Sequence, residues 1–87
     1  MKKLVSEEVE NEGLDALLGE QVLLFGMNYI YAGKLIGVNE TFVKLADPKI
    51  VYETGAWSST GYKDAQSLHV KEWYVQRAAV ESFGRGK

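Results

Sequence analysis

Ten residues, Tyr29-Ile-Tyr-Ala-Gly-Lys-Leu-Ile-Gly-Val38, constrain this chain more than any other stretch. β-Branched and aromatic residues dominate them, which suits an extended strand, yet Gly33 and Gly37 interrupt the run. Glycine weakens a strand and is tolerated where a sheet bends hard or another backbone comes close. Side chains alternate with period two, so Tyr31, Gly33, Leu35 and Gly37 share one face. Removing side chains from that face lets a small sheet curl into a tight barrel. The opposite face, Ile30, Ala32, Ile36 and Val38, is also apolar apart from Lys34. A sheet apolar on both sides has more to bury than one small core, which points to a helix lid, a partner subunit or both.

The flanking sequence supplies the other strands. Val22–Phe25 is a continuous apolar run followed by the turn residues Gly26-Met27-Asn28. Phe42–Ala46 and Ile50–Thr54 read as extended on either side of Asp47-Pro48. Proline cannot donate to a ladder, so Pro48 implies a bend or bulge in one long strand, or an edge position. Residues 55–68 hold most of the Gly/Ser/Thr punctuation and read as one long loop or hairpin tip. Val70–Gln76 returns as a strand, Arg77-Ala78 turns, and Ala79–Phe83 is the last strand. Ahead of them Leu14, Leu17 and Leu18 fall at i, i+3 and i+4, which predicts a short helix over 12–18 ended at Gly19. Residues 1–11 are expected as a flexible acidic head, capped into the helix at Ser6 or Asn11, and residues 84–87 as a disordered tail. The expectation is one domain over 1–87, with a helix and then five strands over 21–83.

Composition narrows the function classes. Eighty-seven residues with 46% hydrophobic and 25% charged side chains are an ordinary globular mixture, too short for a second domain. There is no cysteine to staple so small a core, and a single histidine argues against a metal site. No cofactor is expected. Residues 1–20 carry two Lys/Arg against six Asp/Glu, whereas residues 21–87 carry eight against six. The net charge of −2 therefore conceals a mildly basic body. No apolar run approaches the roughly 18 residues of a membrane span, and the start lacks the apolar stretch of a signal peptide. A cytoplasmic location without membrane contact is the expectation.

Several segments are similar to a known family. Leu18-Gly19-Glu-Gln-Val22-Leu-Leu24 resembles the opening of the Sm/LSm domain, in which a short helix leads into a Leu-Gly-x-x-Val-x-Leu strand. Ala32-Gly33-Lys-Leu35-Ile-Gly37-Val-Asn39 resembles the next segment of that domain, and Leu45-Ala-Asp47 looks like the end of its first motif. Tyr74-Val-Gln-Arg77-Ala-Ala-Val80 is more loosely similar to the second motif. The resemblance spans residues 12–83. It implies a mostly β fold, with a short N-terminal helix leading into a five-stranded, strongly bent Sm-like barrel of the SH3 type. It also implies a homo-oligomeric ring that binds single-stranded RNA without catalysis. Asn39, Phe42, Gln76 and Arg77 then take the RNA-binding positions, with Phe42 as stacking platform. The chain departs from the family at these positions: Asn39 replaces an Asp, Val43 stands where an Asn is usual, and Gln76-Arg77 replaces Arg-Gly.

Each of these residues has a plainer reading. Asn39-Glu40-Thr41 is ordinary turn chemistry, Phe42 is core packing, and Arg77 is a solvated surface charge. Trp57, Tyr62 and Lys63 either clamp a nucleic-acid strand or fold back on the barrel. The lone His69 stands two residues from Ser67 with no third orienting group, and Asp64 and Glu72 have no apolar pocket to tune them, so the chain reads as a non-enzyme. Two other functions stay open. One is the same ring as a structural or protein-binding module, holding a partner through residues 55–68 or the N-terminal segment. The other is an unrelated SH3- or OB-type barrel.

Overall fold

The computed structural model describes residues 12–87; the acidic head of residues 1–11, with Ser6 and Asn11, lies outside them. A single antiparallel sheet contains β1 (Gln21–Gly26), β2 (Ile30–Val38), β3 (Phe42–Glu53), β4 (Asp64–Ser67), β5 (Glu72–Gln76) and β6 (Val80–Arg85). The spatial order is β4-β3-β2-β1-β6, with β5 also paired to β3. The sheet is not closed: β5 and β6 meet only through the 3-10 turn Arg77–Ala79.

The longest strand, β3, serves two partners in succession. Phe42–Ala46 pairs with β5, and Lys49–Glu53 pairs with β4. Between the halves, Asp47 takes a left-handed backbone (φ 49°) and one extra β3 residue faces β2, so Pro48 sits in a bulge. The chain between β4 and β5 breaks at the same level. There the Leu68 N–H donates to the Pro48 carbonyl (3.0 Å) and the Asp47 N–H to the Lys71 carbonyl (3.2 Å). Gly33 faces the bulge. A Cβ there would lie 2.9 Å from the Ala46 carbonyl oxygen and 3.2 Å from the Leu45 Cβ. The close approach that the sequence implied for Gly33 is therefore to β3.

Bending wraps the sheet around its larger core, formed by Leu14, Val22, Leu24, Leu35, Val43, Leu45 and Val75. Val75 of β5 joins Val22 and Leu24 of β1 there, although β2 and β3 lie between them in the sheet. The other face carries a smaller cluster of Leu23, Ala32 and Val51, with Phe25, Ile30 and Tyr62 packed against it. The two faces of β2 follow the expected alternation up to Leu35. A second bulge at Ile36 then shifts the register, so Val38 joins the larger core and Ile36 is left exposed.

Three sequence expectations are corrected. Residues 12–18 are not a helix but contain a four-residue 3-10 turn, Leu14–Leu17. Gly13 (φ 84°) and Gly19 (φ 88°) bound it with left-handed backbone and leave room for one turn. Three residues per turn put Leu14 and Leu17 on the core, while Leu18 is half exposed. This turn covers the larger core through Leu14 and Leu17. Six strands replace five, because the expected loop 55–68 contains β4, whose four exposed residues show no apolar alternation. The tail is placed rather than loose. β6 runs through Gly84-Arg85, the Gly86 N–H donates to the Gln21 carbonyl (2.9 Å), and Lys87 bonds to the segment after β3.

At the start of β1 and the end of β6, Arg85 donates two 2.9 Å hydrogen bonds to Glu20. This bond and the guanidinium charge hold the exposed Glu20 carboxyl below the usual carboxylate range. Any stability from the pair is complete above that usual range and is lost as pH falls through the lowered folded value. Arg85→Ala is expected to move the Glu20 titration upward, read from its carboxyl 13C shift; an unmoved curve would assign the shift to another cause. At the bend, Gly33→Ala is expected to destabilise the fold by about 1–3 kcal/mol in urea. Gly84→Ala, with no neighbour within 4 Å of the added carbon, is expected to stay within about 0.5 kcal/mol.

Candidate functional site

The four residues singled out in the sequence come together at one end of β3. Asn39 opens the turn between β2 and β3. Its side-chain oxygen accepts hydrogen bonds from the Thr41 and Phe42 N–H groups, both at 2.8 Å. Its main-chain N–H donates to the Phe42 carbonyl at 3.0 Å. The turn chemistry expected of Asn39 is thus present, and it leaves the amide nitrogen rather than the oxygen to meet a ligand. Phe42 begins β3 directly opposite Gln76, the last residue of β5.

Arg77 ties the second loop to the first. Its main-chain N–H donates to the Thr41 carbonyl and its Nη1 to the Asn39 carbonyl, each at 2.9 Å. The guanidinium is exposed and uses one of its five N–H donors in that bond. The remaining donors and the planar face suit a phosphate or a stacked base.

The sequence reading missed the neighbours that extend this surface. Tyr74 meets the half-buried Phe42 edge to face, with centroids 4.9 Å apart at 89°. Lys44 lies 5.5 Å from the Tyr74 ring centre and 3.2 Å from the Glu72 carboxylate. The hydrogen bond to Glu72, with a smaller one to Tyr74, raises the Lys44 pKa, so its ammonium stays charged well beyond neutral pH. The period of two contained the signal: residues 42 and 44 share a face of β3, as 74 and 76 do on β5, and the register sets these pairs opposite one another. The result is a part-exposed strip of aromatic rings and cations beside the Asn39–Arg77 junction.

The other candidates are dispersed. The Ser67 hydroxyl accepts from the main-chain N–H of His69 (3.1 Å), whose backbone is left-handed (φ 56°), which is a local turn and not a nucleophile–base pair. Glu72 faces Lys44, and Asp64 lies exposed on β4. Among the described residues no cluster of three or more His, Cys, Asp or Glu side chains is arranged to hold a metal, and no helix is long and apolar enough to cross a membrane. Tyr62 folds back on the smaller core, Trp57 is 65% exposed, and Lys63 pairs with Glu53 at 3.4 Å.

Asn39→Ala removes both turn bonds and is expected to cost about 1 kcal/mol in chemical denaturation. Asn39→Asp keeps an acceptor and is expected to retain most of that stability. Equal losses in the two variants would refute the turn role. No protein-family model, curated protein or solved structure matches the chain.

Proposed function

We propose that this chain is a divergent Sm-like subunit that assembles into a cyclic homo-oligomer and binds single-stranded RNA, without catalysis. The observation that carries the reading is the junction of the Asn39–Phe42 turn with the Gln76–Arg77 turn through the Arg77 bonds to Asn39 and Thr41. Two loops far apart in sequence thereby bring an amide, a half-buried aromatic ring and an exposed guanidinium together on one surface. These groups suit a base and its phosphate. The strip of Tyr74 and Lys44 lengthens that surface along β5 and β3.

The open sheet supports self-association. The outer edges of β6 and β5 carry unpaired backbone groups beside the part-exposed Phe83, Trp73 and Tyr74. Such edges are aggregation-prone unless covered, and a head-to-tail contact between unlike edges closes into a ring. A ring repeats Arg77 around its axis and concentrates positive charge that the net charge of −2 hides.

Short U and A homopolymer RNAs, titrated by fluorescence anisotropy at two salt concentrations, test this reading. Arg77→Ala is expected to weaken binding and flatten its salt dependence, because fewer counterions are released. Phe42→Ala is expected to weaken binding by about 1–3 kcal/mol with little change in salt slope. Both variants should keep the oligomer size of the parent by light scattering. Unchanged affinity in both would transfer the assembly to the protein-binding alternative, and a monodisperse monomer at micromolar concentration would end the ring proposal.

A further inference from the structure

We propose that the loop between β3 and β4 is a receptor for the primary ammonium group of a lysine side chain, occupied in this structure by Lys87 of the same chain. The Lys87 Nζ donates to the carbonyls of Thr54 (2.7 Å), Ala56 (2.8 Å) and Gly61 (3.0 Å). Three acceptors answer the three N–H donors of an ammonium. The same nitrogen lies 5.3 Å from the Trp57 ring centre and 5.4 Å from that of Tyr62, within the range at which an aromatic face attracts a cation. Carbonyls supply direction and donor count, and the rings supply affinity for charge. A trimethylated amine keeps the charge but has no donor for the carbonyls, so this chemistry selects unmodified lysine.

The walls are held by other elements as well as by the occupant, whose main-chain N–H donates to the Tyr62 hydroxyl (3.1 Å). Gly55 has left-handed backbone (φ 75°), and a Cβ there would meet the Lys63 Cβ at 3.1 Å, which brings the two arms of the loop close together. The Ser59 N–H donates to the Ala56 carbonyl (3.0 Å), and Lys63 pairs with Glu53 where β3 and β4 begin their ladder. The Tyr62 ring packs on the cluster of Leu23, Ala32 and Val51. The cage lies at the Glu53 end of β3, whereas Asn39 and Arg77 meet at the Phe42 end, so it is a separate site from the proposed RNA surface. Tethered at an effective concentration on the order of millimolar, Lys87 competes with any lysine from another chain. The site therefore opens to a partner only as Lys87 leaves it.

The test uses the full chain with Lys87→Met, the probe Nα-acetyl-L-lysine N-methylamide, and its ε-trimethyl form. Chemical shifts of the Trp57 indole N–H and the Gly61 amide are followed by NMR. The unmodified probe is expected to give saturable shifts with a Kd on the order of a few millimolar, and the trimethyl form to bind at least about ten-fold more weakly. Adding Trp57→Ala is expected to weaken the unmodified probe about two- to five-fold. The parent chain, in which Lys87 competes, is expected to respond only a few-fold more weakly than Lys87→Met, on the order set by the ratio of effective concentration to Kd. Absence of saturable shifts, or an equal response to the trimethyl form, would overturn the proposal. So would random-coil shifts for residues 54–63 in Lys87→Met, because Lys87 would then be a staple of the loop and not the occupant of a formed site.

Discussion

The bend at Asp47-Pro48, made possible by Gly33, is the constraint on which the rest of the molecule depends. A twelve-residue strand that stayed straight would present one continuous edge to one partner. The bulge divides β3 instead, so its first half pairs with β5 and its second with β4. Gly33 permits this because the Ala46 carbonyl approaches the space that a side chain would occupy. The Pro48 carbonyl, outside the regular ladder, accepts from Leu68, and Asp47 donates to Lys71, so the neighbouring connection turns where β3 does. Two main-chain groups that the bulge takes out of the ladder, the Asp47 N–H and the Pro48 carbonyl, thus find partners.

From that bend follows the larger core. Carrying β5 around brings Val75 against Val22 and Leu24, and Leu14 covers the cluster from the 3-10 turn. Leu24, Leu35 and Leu45 are fully buried, and truncating such a residue to alanine typically costs about 2–5 kcal/mol. In a chain without disulfides those three positions hold a large share of the net stability. The smaller cluster on the opposite face uses Tyr62 as its cover. The loop after β3 is thus anchored to the sheet at the same time as it holds Lys87.

The candidate site is a product of the same geometry. β5 ends opposite Phe42 because its ladder with β3 runs from Glu72–Ala46 to Gln76–Phe42. The chain leaving β5 then has only the 3-10 turn in which to reach β6, and this sets Arg77 against the Asn39 turn. Asn39 contributes twice: its side chain shapes the turn, and its carbonyl anchors the guanidinium. The turn and the proposed recognition surface therefore both depend on this residue, whereas Arg77 and Phe42 project side chains that can be changed with less effect on the turn.

What the sequence by itself determined was local. Alternation and β-branched content marked β1, β2 and both halves of β3, and the glycines of β2 and Pro48 marked a bend. Asn39 announced its turn, because a side-chain oxygen that closes on the N–H groups two and three residues ahead needs no distant partner. Tertiary structure alone decided what depended on remote contacts. β4 carries no apolar pattern, and it is a strand because β3 offers it an edge. Val38 changed faces through a bulge that period-two reasoning does not foresee, and Gly13 and Gly19 reduced a leucine-patterned segment to a single turn. Lys87 stands in a segment whose composition suggests a loose end, yet its ammonium finds three carbonyls and two rings that the folded hairpin brings within reach. Such placements arise from loop closure and packing between residues far apart in the chain, whose cost and reward no local window of sequence contains.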